Sequence, residues 1–414
     1  MLSNAEKIIN SPHVHPFPDF VEKRIDQHYF RVNNQWGGEH LLHGKTPGQN
    51  AIYLSSNDYL SLTGEPELVQ AQIDALRRGG DMLMSAVFLH GDNAQSHFEK
   101  NMARYLGVEN GILSQSGWSA NVGLIQCLAN DTIPVYLDII SHTSLWEGAH
   151  AAGAPRIHFL HNNMQHLRKQ IAKHGPGVIA VDSVYSTNGS VCPIQEIVEI
   201  AEEYGCILIV DESHSIGTHG PHGAGLVMEL GLSERVHFIT TSLAKAFAGR
   251  GGFVTCSDRF KDYFLMEARP AIFSSCLLGH ELAWFNAALS FIQHADIRRE
   301  RLRLVTKRLR QSLTDLGYNV ADGTEQIIAL EAGPEEKTLI LRNALQQREI
   351  FGAVFCAPAT AKNKSMVRLT LNSSLTDVEI DYLIKVCAEI REEVDLQNWS
   401  STIRSKKTAS PLPA

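Results

Sequence analysis

The sequence lacks the features that would place the protein in a membrane or on a nucleic acid. No apolar run approaches the roughly 20 residues that a membrane-spanning helix needs. Acidic residues outnumber basic ones, 45 against 37, so a net charge of -8 provides no general cationic surface for nucleic acid. The N-terminal residues lack the basic and then apolar segments of a secretory signal. We therefore expect a cytoplasmic protein that binds neither nucleic acid nor membrane.

Paired cysteines and metal-ligand spacings are also missing. The seven cysteines are odd in number and scattered, and no two of them form a C-x-x-C pair. A disulfide framework is therefore not expected, and the thiols are expected to be reduced. The 19 histidines follow none of the common ligand spacings. We expect no metal site.

The sequence does contain a predicted strand that is followed directly by a group of polar side chains. A chain of 414 residues, 44% of them hydrophobic, is long enough for one large and one small domain. Near its middle, four apolar residues from Ile207 to Val210 lead directly into Asp211, Glu212, Ser213 and His214. Such a run is typical of a parallel strand buried on both faces. Ligands of open α/β sheets bind at the carboxyl ends of these strands.

A second strand pattern, residues 236–240, is followed by a lysine in an almost uncharged run. Lys245 stands between Leu243-Ala244 and Ala246-Phe247. Desolvation there would lower its pKa and make it a better nucleophile. A single lysine of this kind is more often a surface residue, but the preceding Asp211 and His214 favour a chemical role. Pyridoxal phosphate (PLP) chemistry uses a lysine to hold the cofactor and a carboxylate to keep its ring protonated. Taken singly, Asp211 and His214 are equally consistent with a helix cap and a loop histidine.

The segments VDESHSIGTHGPHGAG and TTSLAKAFAGRGG resemble the α-oxoamine synthases, PLP enzymes that condense an amino acid with an acyl-CoA. The resemblance extends over about residues 19–393. It implies an α/β fold of the fold-type I PLP-dependent transferases, with a mostly parallel seven-stranded sheet flanked by helices and a smaller α+β C-terminal domain. We expect an N-terminal arm and helix at 1–50, a PLP-binding domain at 51–285, the small domain at 286–398 and a disordered tail at 399–414.

The resemblance also implies roles for individual residues. Lys245 would be the catalytic lysine, Asp211 the carboxylate at the ring nitrogen, His214 a partner of the ring hydroxyl, and His142 the residue stacked on the ring. Asn57, Tyr59 and Arg368 would bind substrate, with Arg368 on the amino-acid carboxylate. The remaining cofactor contacts would come from Ser116, Gly117, Trp118, Ser186, Ser242, Ser274 and Ser275. Ser274 and Ser275 would reach the phosphate of a neighbouring subunit, which implies a homodimer with shared active sites.

A finer resemblance lies in the segments SQSGWSANVGL, SHTSLWEGA and VFCAPATAKNKSMVRLTLNS. They are similar to the α-hydroxyketone quorum-sensing autoinducer synthases. This implies a medium-chain acyl-CoA such as decanoyl-CoA, and S-adenosylmethionine or 2-aminobutyrate, as substrates. The apolar residues between Met82 and Leu89 would suit an alkyl chain.

Two alternatives remain at this point. A biosynthetic α-oxoamine synthase that uses glycine or alanine, of the 2-amino-3-ketobutyrate CoA ligase or 8-amino-7-oxononanoate synthase type, would share every cofactor residue. A binding protein without cofactor on the same fold would have no need of Lys245, Asp211 and His214.

Overall fold

The computed structural model describes residues 16–79 and 92–409. Its larger sheet contains seven strands in the order β2 (Asn110–Ser114), β8 (Gly252–Cys256), β7 (Phe238–Ser242), β6 (Ile207–Asp211), β5 (Val178–Asp182), β3 (Val135–Asp138) and β4 (Arg156–Phe159). Strand β8 runs antiparallel to both of its neighbours, and the pairs from β7 to β4 are all parallel. This confirms the predicted mostly parallel seven-stranded sheet.

Continuous apolar runs form the centre of this sheet because helices cover it on both faces. Every residue of β5 is buried, and so are four of the five residues of β6. The connecting helices are amphipathic. Helix Ile194–Tyr204, for example, buries Ile194, Ile197, Val198, Ile200 and Ala201 and ends at Gly205 in the left-handed conformation. The other helices around this sheet are Ala94–Tyr105, Gly117–Leu128, Thr143–Ala151, Met164–His174, Leu226–Glu229, Asp258–Glu267 and Arg269–Ile272.

A second sheet of four strands lies towards the C-terminus. Its order is β1 (Ile52–Leu54), β10 (Ile350–Phe355), β11 (Ser365–Thr370) and β9 (Ile327–Gly333). Strand β1 pairs in parallel with β10, whereas β10, β11 and β9 are antiparallel. The helices outside the larger sheet are Asp19–Asn34, Pro66–Arg78, Gly279–Gln293, Asp296–Asp315, Glu335–Gln347, Asp377–Glu389 and Ser400–Ala409.

Two features differ from the predicted domain boundaries. The boundary at residue 51 placed β1 with the larger sheet, but Ile52 to Leu54 pair with Ile350 to Gly352. The boundary between 285 and 286 falls inside helix Gly279–Gln293. The composition of a strand does not identify its partner, so a three-residue strand can join either sheet. The division into a large and a small domain otherwise stays a prediction.

The predicted disordered tail is wrong for residues 399–409. Trp399 is 1% exposed, and its indole N–H donates to the Val394 carbonyl over 2.8 Å. Its ring meets that of Tyr318 edge to face, with centroids 5.6 Å apart. Helix Ser400–Ala409 follows, and the Ser401 hydroxyl donates to the Glu331 carbonyl of β9 over 2.6 Å. Polar composition indicated disorder, but one large buried aromatic side chain anchors the segment.

The proposed alkyl-chain segment, Met82 to Leu89, lies outside the described residues. Within the described part of the chain, no helix combines the length and the apolar character that crossing a membrane requires.

Candidate active site

The polar residues of the central motif meet at the carboxyl ends of the parallel strands. Asp182 at the end of β5 pairs in register with Asp211 at the end of β6, and Asp211 pairs with Thr240 of β7. Lys245 lies in the turn that follows β7, where the Ala248 N–H donates to the Lys245 carbonyl over 2.8 Å. The sheet register therefore brings an amine and two carboxylates to one edge.

Asp211 is held by three hydrogen bonds. Its Oδ1 accepts the backbone N–H of Ser213 over 2.9 Å and the Ser213 hydroxyl over 2.5 Å, and its Oδ2 accepts the side-chain amide of Asn121 over 2.7 Å. The Ser213 hydroxyl also accepts the Ser242 N–H over 2.7 Å. Because Asp211 is 4% exposed, these bonds fix the direction of a buried carboxylate.

A chain of hydrogen bonds joins Asp211 to His142. The Asn121 amide, which donates to Asp211, also donates to the Ser144 hydroxyl over 2.8 Å, and that hydroxyl lies 2.7 Å from His142 Nδ1. The Ser144 N–H points at the same nitrogen over 3.3 Å. Two donors at Nδ1 make it an acceptor, so a neutral His142 carries its proton on Nε2.

His142 is also fixed through its main chain. It caps the N-terminus of helix Thr143–Ala151, and its backbone N–H donates to Asp182 Oδ2 over 2.8 Å. The Trp118 ring lies edge-on to its imidazole, with centroids 6.2 Å apart. Burial lowers the pKa of His142, and the nearby charge of Asp211 opposes this shift. Burial, reinforced by Asp211, raises the pKa of Asp182 well above its usual range.

Lys245 is half-buried, and burial lowers the pKa of its amine. The positive charge of Arg368 lowers the pKa further, whereas Asp211 raises it. The lysine is thus closer to its neutral, nucleophilic form than a lysine in water.

Tyr59 and His214 form a buried pair at the site. The Tyr59 hydroxyl makes a short hydrogen bond to His214 Nδ1, and the His214 carbonyl accepts the Gln326 amide over 2.9 Å. Burial, followed by the charges of Lys245 and Arg368, lowers the pKa of His214 well below its usual value. His214 is therefore a neutral imidazole at physiological pH.

Arg368 on β11 completes the group from the second sheet. Its guanidinium donates to the Ser186 carbonyl over 2.8 Å and to Asn57 Oδ1 over 3.1 Å, and its Cζ lies 4.4 Å from the centroid of the Phe355 ring. Among the described residues, no carboxylate pairs with Arg368, which is 5% exposed. A buried cation of this kind is suited to binding an anionic group of a ligand.

The N-terminus of helix Gly117–Leu128 packs directly against the strand that precedes Lys245. The Ser116 hydroxyl caps this helix by accepting the Ser119 N–H over 3.0 Å. A Cβ on Gly117 would lie 2.6 Å from the Cβ of Ser242, so only glycine allows this close approach. The backbone N–H groups at such a helix start favour a phosphate.

The structure thus gathers nearly all of the residues singled out from the sequence. Ser186 contributes its carbonyl to Arg368, and no hydrogen bond to its hydroxyl occurs within the described residues. Ser274 lies beside the helix start, where its carbonyl is 3.4 Å from Gln115 Nε2. Ser275 is exposed and is not brought into the group. Its expected role at a partner's phosphate stays a prediction.

Sequence reasoning missed Asn121, Ser144, Asp182 and Phe355. Asn121 stands in the SGWSAN segment, and Ser144 follows His142 by two residues. Both stand in the segments SQSGWSANVGL and SHTSLWEGA that carry the finer resemblance, and this position was the signal that could have found them. Nothing local to Phe355 marks it as a neighbour of Arg368.

The chain belongs to the aminotransferase class I and II family, whose pattern it matches over residues 49–386. Within that family it is 45% identical to the CAI-1 autoinducer synthase of Vibrio campbellii, over 94% of this chain and 99% of the relative. It is 30% identical to the putative 8-amino-7-oxononanoate synthase of Halalkalibacterium halodurans, over 81% of this chain and 85% of the relative. These relatives confirm the resemblance to the α-oxoamine synthases.

A solved structure shares the fold. The serine palmitoyltransferase from S. paucimobilis, with a bound PLP–myriocin aldimine, superposes with a TM-score of 0.84 at 23% identity, over 91% of this chain and all of that chain. This similarity confirms the predicted fold of a fold-type I transferase.

Proposed function

We propose that this protein is a PLP-dependent C-acyltransferase that makes the α-aminoketone precursor of an α-hydroxyketone signal. In the overall reaction a carbon–carbon bond forms between the amino-acid α-carbon and the acyl carbonyl, the thioester bond breaks, and CoA and CO₂ are released. With S-adenosylmethionine as donor, the bond from its γ-carbon to sulfur also breaks before acylation, and 5′-methylthioadenosine leaves. The observation that carries the proposal is the convergence of Lys245, Asp211, His142 and Arg368 in one site, where Arg368 has no carboxylate partner among the described residues. The 45% identity to a CAI-1 autoinducer synthase supports the choice of product class.

The residues at the site fit PLP. A half-buried amine is available at Lys245, a fixed carboxylate at Asp211, and a helix start suited to phosphate at Gly117. A Cβ at Gly252 would lie 2.3 Å from the Ser116 carbonyl, so the turns that would surround the phosphate are tightly packed together. Bound PLP would supply an electron sink that stabilises negative charge on the substrate α-carbon.

Each side chain then has a distinct task in the proposed reaction. Lys245, with its lowered pKa, holds the cofactor and takes the proton from the substrate α-carbon. Asp211 would keep the ring nitrogen protonated, and neutral His214 with Tyr59 would hydrogen-bond the ring hydroxyl. His142, which Asp182 and Ser144 keep in orientation, would stack on the ring. Arg368 binds the substrate carboxylate.

The proposed substrates are a medium-chain acyl-CoA such as decanoyl-CoA, with S-adenosylmethionine or 2-aminobutyrate as amino donor. We further propose that the active unit is a homodimer in which Ser274 and Ser275 reach the phosphate site of the partner. The competing choice, glycine or alanine as donor, corresponds to the biosynthetic relatives, whose identities are lower, such as 30%.

The experiment that tests this function combines absorption with product analysis. The purified protein is reconstituted with PLP and incubated with decanoyl-CoA and each of the four donors, and the products are identified by mass spectrometry. We expect a visible absorption band that Lys245→Ala abolishes, and an α-aminoketone product only with S-adenosylmethionine or 2-aminobutyrate. Product only from glycine or alanine would assign the protein to biosynthesis instead. A colourless protein after PLP addition would exclude the enzyme function.

A further inference from the structure

The loop that follows β5 links the two sheets at the candidate site. The Ser186 carbonyl accepts the Arg368 guanidinium over 2.8 Å, and the Gly189 carbonyl accepts the backbone N–H groups of Thr324 and Glu325 over 3.1 and 3.2 Å. Arg368 lies on β11, and Thr324 and Glu325 lie just before β9. This loop therefore contacts the second sheet at β11 and at the entry to β9.

The Ser186 carbonyl determines which edge of the Arg368 guanidinium is left for a ligand. Arg368 also donates to Asn57, whereas its buried Nε has no hydrogen-bond partner among the described residues. A carboxylate binds a guanidinium along two adjacent N–H groups in one plane. A displaced Ser186 carbonyl would turn this plane and misalign the edge that includes Nε.

His161, which follows β4, contacts both ends of this loop. The Tyr185 N–H donates to the Ser190 carbonyl over 2.9 Å, so these two residues close the loop. His161 Nε2 lies 2.9 Å from Ser190 Oγ, and its imidazole meets the Tyr185 ring edge to face with centroids 4.6 Å apart. One histidine thus holds the two residues between which Ser186 lies.

Asp138 fixes His161 in turn. Both carboxylate oxygens of Asp138 lie 3.1 Å from His161 Nδ1. Asp138 ends β3, is fully buried, and also accepts the backbone N–H groups of Ile140 and Asn162 over 3.0 and 2.9 Å. Because the carboxylate is fixed in place, its contact with Nδ1 sets the rotation of the ring.

This group of aspartate, histidine and serine does not supply a nucleophile. Ser190 is 5% exposed, and its hydroxyl also donates to Asn188 Oδ1 over 2.8 Å. A nucleophilic serine has to reach the carbonyl of a substrate. The contacts of Ser190 therefore serve the shape of the loop.

We propose that His161 is a positioning residue for the amino donor. Held by Asp138, it keeps both ends of the loop in place and thereby aims the Ser186 carbonyl at Arg368, which binds the donor carboxylate. This inference rests on the proposed function and deepens it, because it adds a residue that acts on donor binding through Arg368.

Three variants separate positioning from general damage. His161→Asn keeps an amide that can donate to Asp138 but is too short to reach Ser190. Ser190→Ala removes only the hydroxyl at the other end of the contact. His158→Asn, at an exposed histidine of β4, is the matched control.

The first measurement is the change in visible absorption when the PLP-loaded protein is titrated with 2-aminobutyrate or with 1-propylamine, the same molecule without its carboxylate. For 2-aminobutyrate we expect His161→Asn to raise the Kd roughly tenfold and Ser190→Ala roughly threefold, with His158→Asn like the wild type. For 1-propylamine no variant should change the Kd by more than about twofold, because Arg368 has no carboxylate to bind. Equal weakening of both ligands in His161→Asn, or no weakening of 2-aminobutyrate, would overturn the inference.

A double variant tests whether His161 acts through Arg368. In the Arg368→Lys background the carboxylate contact is already impaired, so adding His161→Asn should raise the Kd for 2-aminobutyrate by less than about twofold. A further rise of roughly tenfold would show that the two residues act independently and would overturn the inference.

Product formation with decanoyl-CoA distinguishes this inference from the proposed function. If His161→Asn weakens 2-aminobutyrate selectively but the wild type forms no product, the positioning role stands and the proposed function fails. If the wild type forms product and binds 2-aminobutyrate no better than His161→Asn does, the proposed function stands and the positioning role fails.

Discussion

The side-chain amide of Asn121 donates to the carboxylate of Asp211 over 2.7 Å, although 90 residues separate them in the chain. The same amide nitrogen donates to Ser144, which continues the contact to His142. The carboxylate and the imidazole that would face a cofactor from two sides are thus held by one asparagine. A buried network of this kind specifies the orientation of each member.

Replacing Asn121 should lower catalytic activity by more than its effect on the stability of the protein would explain. In Asn121→Ala, Asp211 loses one of three donors and Ser144 loses its own, so we expect kcat/KM to fall by about tenfold to a hundredfold. Ser144→Ala, which removes only the link to His142, should have a smaller effect. The measurement is steady-state kinetics of the PLP-loaded enzyme, with Asn101→Ala, at a half-buried asparagine that bonds Asn286, as control. Equal kcat/KM values for Asn121→Ala and the control would contradict the role of the network.

Arg368 should not tolerate lysine. An ammonium group cannot bind the Ser186 carbonyl, Asn57 and a carboxylate with the planar geometry of a guanidinium. We expect Arg368→Lys to raise the KM for the amino donor by about a hundredfold while the KM for the acyl-CoA changes little. Arg250→Lys, at a surface ion pair with Glu281, is the control. An equal rise in both KM values would indicate a general loss of structure rather than loss of carboxylate binding.

The pKa of Lys245 should respond to its two charged neighbours in opposite directions. Arg368 lowers this pKa and Asp211 raises it, so Arg368→Gln should move the pKa upwards and Asp211→Asn downwards. Since only the neutral amine reacts, the pH at which labelling of Lys245 becomes rapid should shift in the same directions. The measurement is the rate of amine modification at Lys245 in the PLP-free protein against pH, followed by peptide mass spectrometry. Shifts in the same direction for both variants would disprove the assignment of opposite effects on the Lys245 pKa to Arg368 and Asp211.

Glu212 should make stability depend on pH. Its Oε1 accepts the Val227 N–H over 2.8 Å and the Ser215 hydroxyl over 3.2 Å, and burial raises its pKa from 4.5 to about 7. The folded protein therefore keeps this proton between the two values while the unfolded chain has lost it. The contribution to the free energy of unfolding is fully present below pH 4.5 and is lost as the pH rises through about 7.

The magnitude of this loss is on the order of 3 kcal/mol. We expect the difference in free energy of unfolding between pH 5 and pH 8 to be smaller in Glu212→Gln than in the wild type by about this amount. Urea denaturation at both pH values measures it, and Glu300→Gln at an exposed position is the control. The prediction fails if Glu212→Gln, like the control Glu300→Gln, keeps the pH dependence of the wild type.

Trp399 should anchor the C-terminal segment to the second sheet. Its ring is buried against Tyr318, so Trp399→Ala should lower the free energy of unfolding by about 3 to 5 kcal/mol. Ile403→Ala, at a residue about one helical turn after Trp399 and 41% exposed, should cost less than about 1 kcal/mol. Chemical denaturation distinguishes the two. Similar losses for both variants would show that the indole is not the anchor.

Much of the fold and the place of the site follow from local patterns in the sequence. The apolar run from Ile207 to Val210 forms a strand buried on both faces, because only such a strand can use a continuous apolar segment. The polar residues after it, and Lys245 after the next strand, had to lie at the carboxyl edge because parallel strands end there together. The resemblance to the α-oxoamine synthases rests on these same residues.

Other features depend on packing between distant segments. Asn121 reaches Asp211 only because helix Gly117–Leu128 packs onto the sheet, and Arg368 contacts Phe355 because β10 and β11 are adjacent. The pairing of β1 with β10 and the order of the segment after Trp399 arise in the same way. Side-chain period and burial are local properties that a sequence carries directly, whereas the partner that a buried group meets is decided by which surfaces pack together in the folded chain.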